Sequence, residues 1–112
     1  MTTLRNSVNL IGHLGADPEM KTFGNNRTMA RFSIATNEYY RDKNGETRKE
    51  TQWHNIVAFD NTAKIAGKLL SKGKEVAVHG KLNSRKWEDN NGTKHYTTEI
   101  VADEILVFSR DN

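Results

Sequence analysis

The chain has 112 residues, one domain's worth, with 17 Lys and Arg against 14 Asp and Glu and a net charge of +3. It has no cysteine, which excludes a disulfide framework and a thiolate metal site. No run approaches the roughly 18 apolar residues of a membrane helix. The opening MTTLRNSVNLIGHLG has neither a long apolar core nor a small-residue cleavage site, so no secretory leader is expected.

Residues 6–14, NSVNLIGHL, read as a first strand. Residues 15–18, Gly-Ala-Asp-Pro, read as a turn, because Asp-Pro favours turn initiation and Pro18 is the only proline. A second strand follows over 28–40, with Ala30, Phe32 and Ile34 on one face and Arg31 and Ser33 on the other. Asn44-Gly45 then supplies the positive φ angles of a hairpin loop. Residues 51–59, TQWHNIVAF, form a third strand. Trp53, Asn55, Val57 and Phe59 share one face, and His54, Ile56 and Ala58 the other. Both faces carry apolar residues, so the pattern does not say which is inside.

Residues 62–72 are the one helical segment. Ile65, Ala66, Leu69 and Leu70 make a one-sided stripe, Asp60, Asn61 and Thr62 offer N-caps, and Lys72 and Gly73 are stop signals. Residues 75–82 alternate, with Val76, Val78 and Leu82 opposed to Glu75, His79 and Lys81. Asn90-Asn91-Gly92 turns a long hairpin, and 94–108 return as the last strand. The alternation breaks near 102–105, where a bend or bulge is expected.

The order is three strands, a helix and two strands over one domain, 1–112. This is the order of an all-β fold, the five-stranded OB-fold Greek-key barrel, with a helix between strands 3 and 4 and a long hairpin between strands 4 and 5. Pattern alone leaves other small barrels and α+β folds open.

No enzyme motif is present. Residues 12–15, Gly-His-Leu-Gly, are too short for a phosphate loop and lack its Lys-Ser/Thr. His13, His54, His79 and His95 are scattered without ligand spacing, so neither a metal nor a cofactor is expected. Asn26-Arg27-Thr28 and Asn91-Gly92-Thr93 match the glycosylation pattern and read as chance matches.

The aromatics carry more information. Tyr39, Tyr40, Trp53, Phe59, Trp87 and Tyr96 lie on strands or hairpin arms, near Arg41, Lys43, Arg48, Lys49, Arg85, Lys86 and Lys94. From Lys81 to Tyr96 four cations, Lys81, Arg85, Lys86 and Lys94, stand against Glu88 and Asp89. Unpaired bases expose flat faces beside charged phosphates, and rings among cations meet both demands. On this reading Trp87 is a stacking platform and Arg85 and Lys86 hold phosphates beside it. The plainer readings stay open: Trp53 and Phe59 as core, Trp87 as core or protein interface, and residues 41–50, whose charges nearly cancel, as a solvated loop.

These residues resemble the bacterial-type single-stranded DNA-binding proteins over about Leu4 to Phe108. The blocks are NxVxLIGxLGxDPE from Asn6, FSIATN from Phe32, TQWHNIVAF from Thr51, LxKG from Leu70 with VxVxGxL from Val76, RKW from Arg85 and YTTE from Tyr96. The resemblance implies an OB-fold that binds single-stranded DNA in replication, recombination and repair. It implies a partner in itself, a homotetramer or dimer of dimers, in the cytoplasm with the bacterial nucleoid. It assigns base stacking to Trp53, Trp87 and Phe59, and to Tyr40 where tryptophan is frequent. It places Arg85, Lys86, Lys72, Lys21 and Lys43 at or beside the phosphate path and His54 at a subunit interface. Asn55 and Asn61 stand where some relatives carry a base, which implies fewer phosphate contacts. The family's flexible linker and acidic tip have no counterpart in Ser109-Arg110-Asp111-Asn112, so recruitment of protein partners through a tail is not expected. Two other readings compete. One is an adaptor using the same barrel mainly for protein partners, against which the retained Trp53, Phe59 and Trp87 argue. The other is a small metal-dependent hydrolase built on the histidines.

Overall fold

The structure is a computed structural model and describes residues 5–108; Leu4 and the chain end at 109–112 lie outside the described residues. Its elements are β1 (Val8–Leu14), β2 (Glu19–Phe23), β3 (Arg27–Arg41), β4 (Thr47–Phe59), α1 (Asp60–Leu69), β5 (Glu75–Glu88) and β6 (Lys94–Val107). They form one sheet in the order β1-β5-β6-β4-β3-β2, and an additional β1–β3 pairing closes it.

The closure depends on how the first strand is built. β1 meets β3 at His13↔Ala35 and Leu14↔Ile34, and β2 meets the same strand from Glu19↔Arg31 to Phe23↔Arg27. β1 and β2 are therefore two consecutive pieces of one barrel strand, and the expected turn at 15–18 interrupts that strand without reversing it. Asp17 holds the interruption by accepting the backbone N–H of Lys72 at 2.8 Å. Counted this way the barrel has five strands, with the OB-fold's order and its helix between the third and fourth. β4 and β6 complete the ring through a short parallel pairing, Ile56↔Ile100 and Val57↔Val101.

The core follows the even-numbered faces of β3, β4 and β5. Phe32, Ile34, Ile56, Ala58, Val76 and Val78 are buried together, with Leu14, Ile100 and Ala102. The ambiguity of the third predicted strand is thereby resolved: Ile56 and Ala58 point into the barrel, and Trp53 and Phe59 point out. Val57 is nonetheless buried on the outer face, where β3 and β6 flank it with Arg31 and Val101.

The helix departs from expectation at both ends. It begins at Asp60, its N-cap is Phe59, and no side chain caps it. The strand runs directly into the first turn, with Asp60 at φ 53° as the joint. It ends at Leu69, so Lys68 and not Lys72 is the basic residue of the last turn. Its buried face is Ala63, Ala66 and Leu70, while Ile65 and Leu69 are exposed. The small residues let the helix sit close against the barrel end. The break expected at 102–105 is present. His79 pairs with Glu104 and Gly80 with Ala102, so Asp103 is the extra residue of a bulge. Gly80 suits that place because a Cβ would come within 2.2 Å of the Val101 carbonyl oxygen.

The β3–β4 and β5–β6 hairpins extend past the barrel, with rungs to Arg41↔Thr47 and Glu88↔Lys94. The radius of gyration is 16.3 Å, above the roughly 13 Å of a compact chain of about 100 residues. The arms account for the excess.

Candidate nucleic-acid interface

Residues paired across a sheet share a face, and alternate residues of a strand share it too. The pairings therefore define one outward surface. One row runs Glu19–Arg31–Val57–Val101–Lys81 and the next Lys21–Met29–Phe59. Trp53 and Asn55 continue the β4 face, and Asn83, Arg85 and Trp87 continue that of β5.

Three aromatics stand on this surface. Trp53 is 60% exposed and Trp87 47%. Neither is core. Trp53 lies against Gly15, where a Cβ would come within 2.6 Å of the indole ring. The missing side chain is what lets the ring lie there. Phe59 is also exposed, and the Arg27 guanidinium lies 6.0 Å from its ring centroid. Arg27 is itself bonded to Asp60 at 3.1 Å. That bond holds the Asp60 carboxyl below the usual carboxylate range.

Trp87 is fixed more tightly. Its Nε1 donates to Thr97 Oγ1 at 3.0 Å, and its ring stacks on His95 with centroids 4.5 Å apart and planes 22° apart. Two residues back, Arg85 Nε lies 3.3 Å from Glu99 Oε1. Glu99 is buried, so part of the Arg85 charge serves to compensate it.

The remaining expected residues are not all brought to this surface. Lys86 pairs with Tyr96, its ammonium 5.9 Å from that ring, on the strand face opposite Trp87 and Arg85. The cations therefore do not flank Trp87 as adjacent neighbours. Tyr40 pairs with Arg48 and is likewise opposed to Trp53, whereas Tyr39, paired with Lys49, shares the Trp53 face. Lys43 is exposed in the β3–β4 turn, and Lys72 is exposed in the segment after α1. Lys21 lies on β2 in the row of Phe59. His54 is half-buried and bonded to Thr36 at 2.9 Å. It borders a cleft of about 130 Å³ with Leu82 and Thr98, where β4 parts from the β5–β6 arm. The reading from sequence missed Arg31 and His95 as members of the surface or its support, and it named Tyr39 and Lys81 among the rings and cations without assigning either to the site. Alternation by two from Arg85 and Trp87 gives Lys81; nothing local gives His95. Among the described residues no three His, Asp or Glu side chains meet as a metal site.

A five-stranded barrel capped by one helix, with exposed rings and cations along one face, defines an OB-fold of the nucleic-acid-binding kind. The single-strand binding protein family model matches residues 5–108, and the chain belongs to that family. Among solved structures it is similar to the Plasmodium falciparum single-strand binding protein in complex with single-stranded DNA. That match has 36% identity and a TM-score of 0.87, and covers 97% of this chain and 98% of that one. It is also similar to a deletion variant of the single-stranded DNA binding protein from Thermus aquaticus. There the identity is 28% and the TM-score 0.82, covering 93% of this chain and 50% of that one.

Proposed function

We propose that this chain binds single-stranded DNA with little regard for sequence, acting as a binding protein and not as an enzyme. The observation that supports this best is the outer surface carrying Trp53, Phe59 and Trp87 with Lys21, Arg31, Lys81 and Arg85 around them. Every base has a π face, so rings accept any sequence, and each stack is worth roughly 1–3 kcal/mol. Cations add a salt-dependent contribution through phosphate neutralisation. Replication, recombination and repair are the processes in which such coating is needed, in the cytoplasm beside the chromosome.

The same reading includes assembly as a homotetramer. Ile11, Ala77 and Leu106 form an apolar row across β1, β5 and β6, and Ile11 and Leu106 are exposed. A second copy covering this row would remove it from water. His54 belongs to a subunit contact on this reading by the resemblance to the family.

Tryptophan fluorescence during titration with oligo-dT tests the reading, with duplex DNA of equal charge as control. Quenching by the single strand alone is expected. Binding without quenching would leave only phosphate contacts, and absence of binding at moderate salt would remove the proposal in favour of a protein-binding adaptor.

A further inference from the structure

The two projecting hairpins are turned by the same local device. Asp42 Oδ1 accepts the backbone N–H groups of Asn44 and Glu46 at 2.9 and 3.0 Å, and its Oδ2 accepts from Arg48 Nε at 2.7 Å. Asp89 Oδ1 accepts those of Asn91 and Thr93 at 2.9 and 3.0 Å, and its Oδ2 lies 2.8 Å from His95 Nε2. In each case a ring stands across from the basic residue: Tyr40 opposite Arg48, and Trp87 opposite His95. The sequence carries the repeat as aromatic-x-Asp-x-Asn-Gly-x-x-base, YRDKNGETR from Tyr40 and WEDNNGTKH from Trp87.

In the second hairpin the device reaches the ring itself. The His95 imidazole covers one face of the indole, and Thr97 holds its edge. A solvent-facing tryptophan otherwise samples several rotamers, and fixing it on binding costs affinity. We propose that His95, tethered by Asp89, is a positioning residue that presents Trp87 as a one-faced stacking platform for a nucleobase. This rests on the reading of the chain as a single-strand binder. The His95 bond is the largest cause holding the Asp89 carboxyl below the usual carboxylate range, so the tether is ionised at neutral pH. Glu88 and Lys94 flank the pair on the opposite strand face, and Arg85 and Glu99 lie further along its own face.

The test is titration with oligo-dT of the wild type, His95→Ala and His95→Phe in one buffer at one salt concentration. Both variants are uncharged at this position, so their difference isolates the ring contact from charge. His95→Ala is expected to weaken binding about 2- to 10-fold, the cost of ordering one side chain. His95→Phe should recover most of that loss by restoring a ring beneath the indole. Melting midpoints should stay within about 4 °C of wild type, because the arm is exposed. A spectroscopic signature accompanies this. In a Trp53→Phe background Trp87 is the only tryptophan. Its DNA-free fluorescence anisotropy should fall when His95→Ala frees the ring and return toward the parent value in His95→Phe. Unchanged or tighter binding by His95→Ala would overturn the proposal, since His95 would then be idle or compete with the base. Equal binding by the Phe and Ala variants would overturn it too. Failure of the wild type to bind would instead remove the single-strand reading beneath it.

Discussion

Trp53 and Trp87 are supported in different ways, and their neighbours are expected to respond differently to mutation. Trp53 lies against Gly15. Gly15→Ala places a methyl where the ring lies and should displace it, shifting its emission and weakening oligo-dT binding several-fold. Melting should change little, because a half-exposed ring can move into solvent. Trp87→Ala removes a whole stack and should weaken binding about 5- to 150-fold, the equivalent of 1–3 kcal/mol, again with little loss of melting temperature. A large melting loss would mean that the ring stabilises the fold more than its exposure indicates. The chemistry of these two positions was legible in the sequence from rings set among cations. Their support was not. The contact with Gly15 joins residues far apart in the chain, and the imidazole under Trp87 follows from hairpin register. Alternation by two would also have placed Lys86 away from Arg85 and Trp87.

At the level of elements, the two hairpin turns make a prediction about pH. The Asp42 carboxyl is held low first by its bond to Arg48, and that of Asp89 first by His95. A depressed carboxylate contributes stability that is present above its unfolded value near 3.9 and is lost as pH falls through the folded value. Turn amide protection and chemical shifts at Asn44, Glu46, Asn91 and Thr93 should therefore hold at neutral pH and decay below about pH 4. Survival of both turns in more acid solution would show that the Asn-Gly backbone alone specifies them. The bulge offers a second prediction. Gly80→Ala sets a Cβ against backbone that cannot rotate away, and should lower stability by about 1–3 kcal/mol, as overpacking does, measured by urea unfolding. The bulge and both hairpins were readable from broken alternation and Asn-Gly pairs. β2 was not: all five of its residues are exposed, so EMKTF carries no alternation of period two. The start of the helix shifted because β4 leads directly into the first turn, with Phe59 at the N-cap and no side-chain cap to mark it.

Across the whole molecule, the net charge of +3 is small, and position decides how it acts. Lys81 shares the face of Phe59 and Trp87, whereas Lys86 lies on the reverse of its arm. Lys81→Glu is therefore expected to flatten the salt dependence of oligo-dT binding by about one unit of slope, and Lys86→Glu by less. The opposite ranking would place the strand along the reverse of the arm. Assembly is separable from this. Leu106→Glu interrupts the apolar row of β1, β5 and β6 and should lower the mass measured by light scattering while leaving far-ultraviolet circular dichroism unchanged. An unchanged mass would exclude that row from the contact. The barrel as a whole was legible because strand number and helix position together define it. Which face bears the site was not, since the third predicted strand is apolar on both sides.

The seam between β4 and β6 has a consequence for how the chain reaches its native state. Both hairpins can zip from their own turns, since the rungs Arg41↔Thr47 and Glu88↔Lys94 join residues close in sequence and each further rung extends the one before it. The parallel rungs Ile56↔Ile100 and Val57↔Val101 instead close a stretch of chain that contains the helix and the whole of β5. Non-local pairings of this kind delay folding, because the intervening chain must be ordered before they contribute. The arms that carry the rings should thus form early, and barrel closure last. Successive amides of a strand face opposite neighbours, so the one of Ile56 and Val57 that faces β6 would gain protection after those of the hairpin turns.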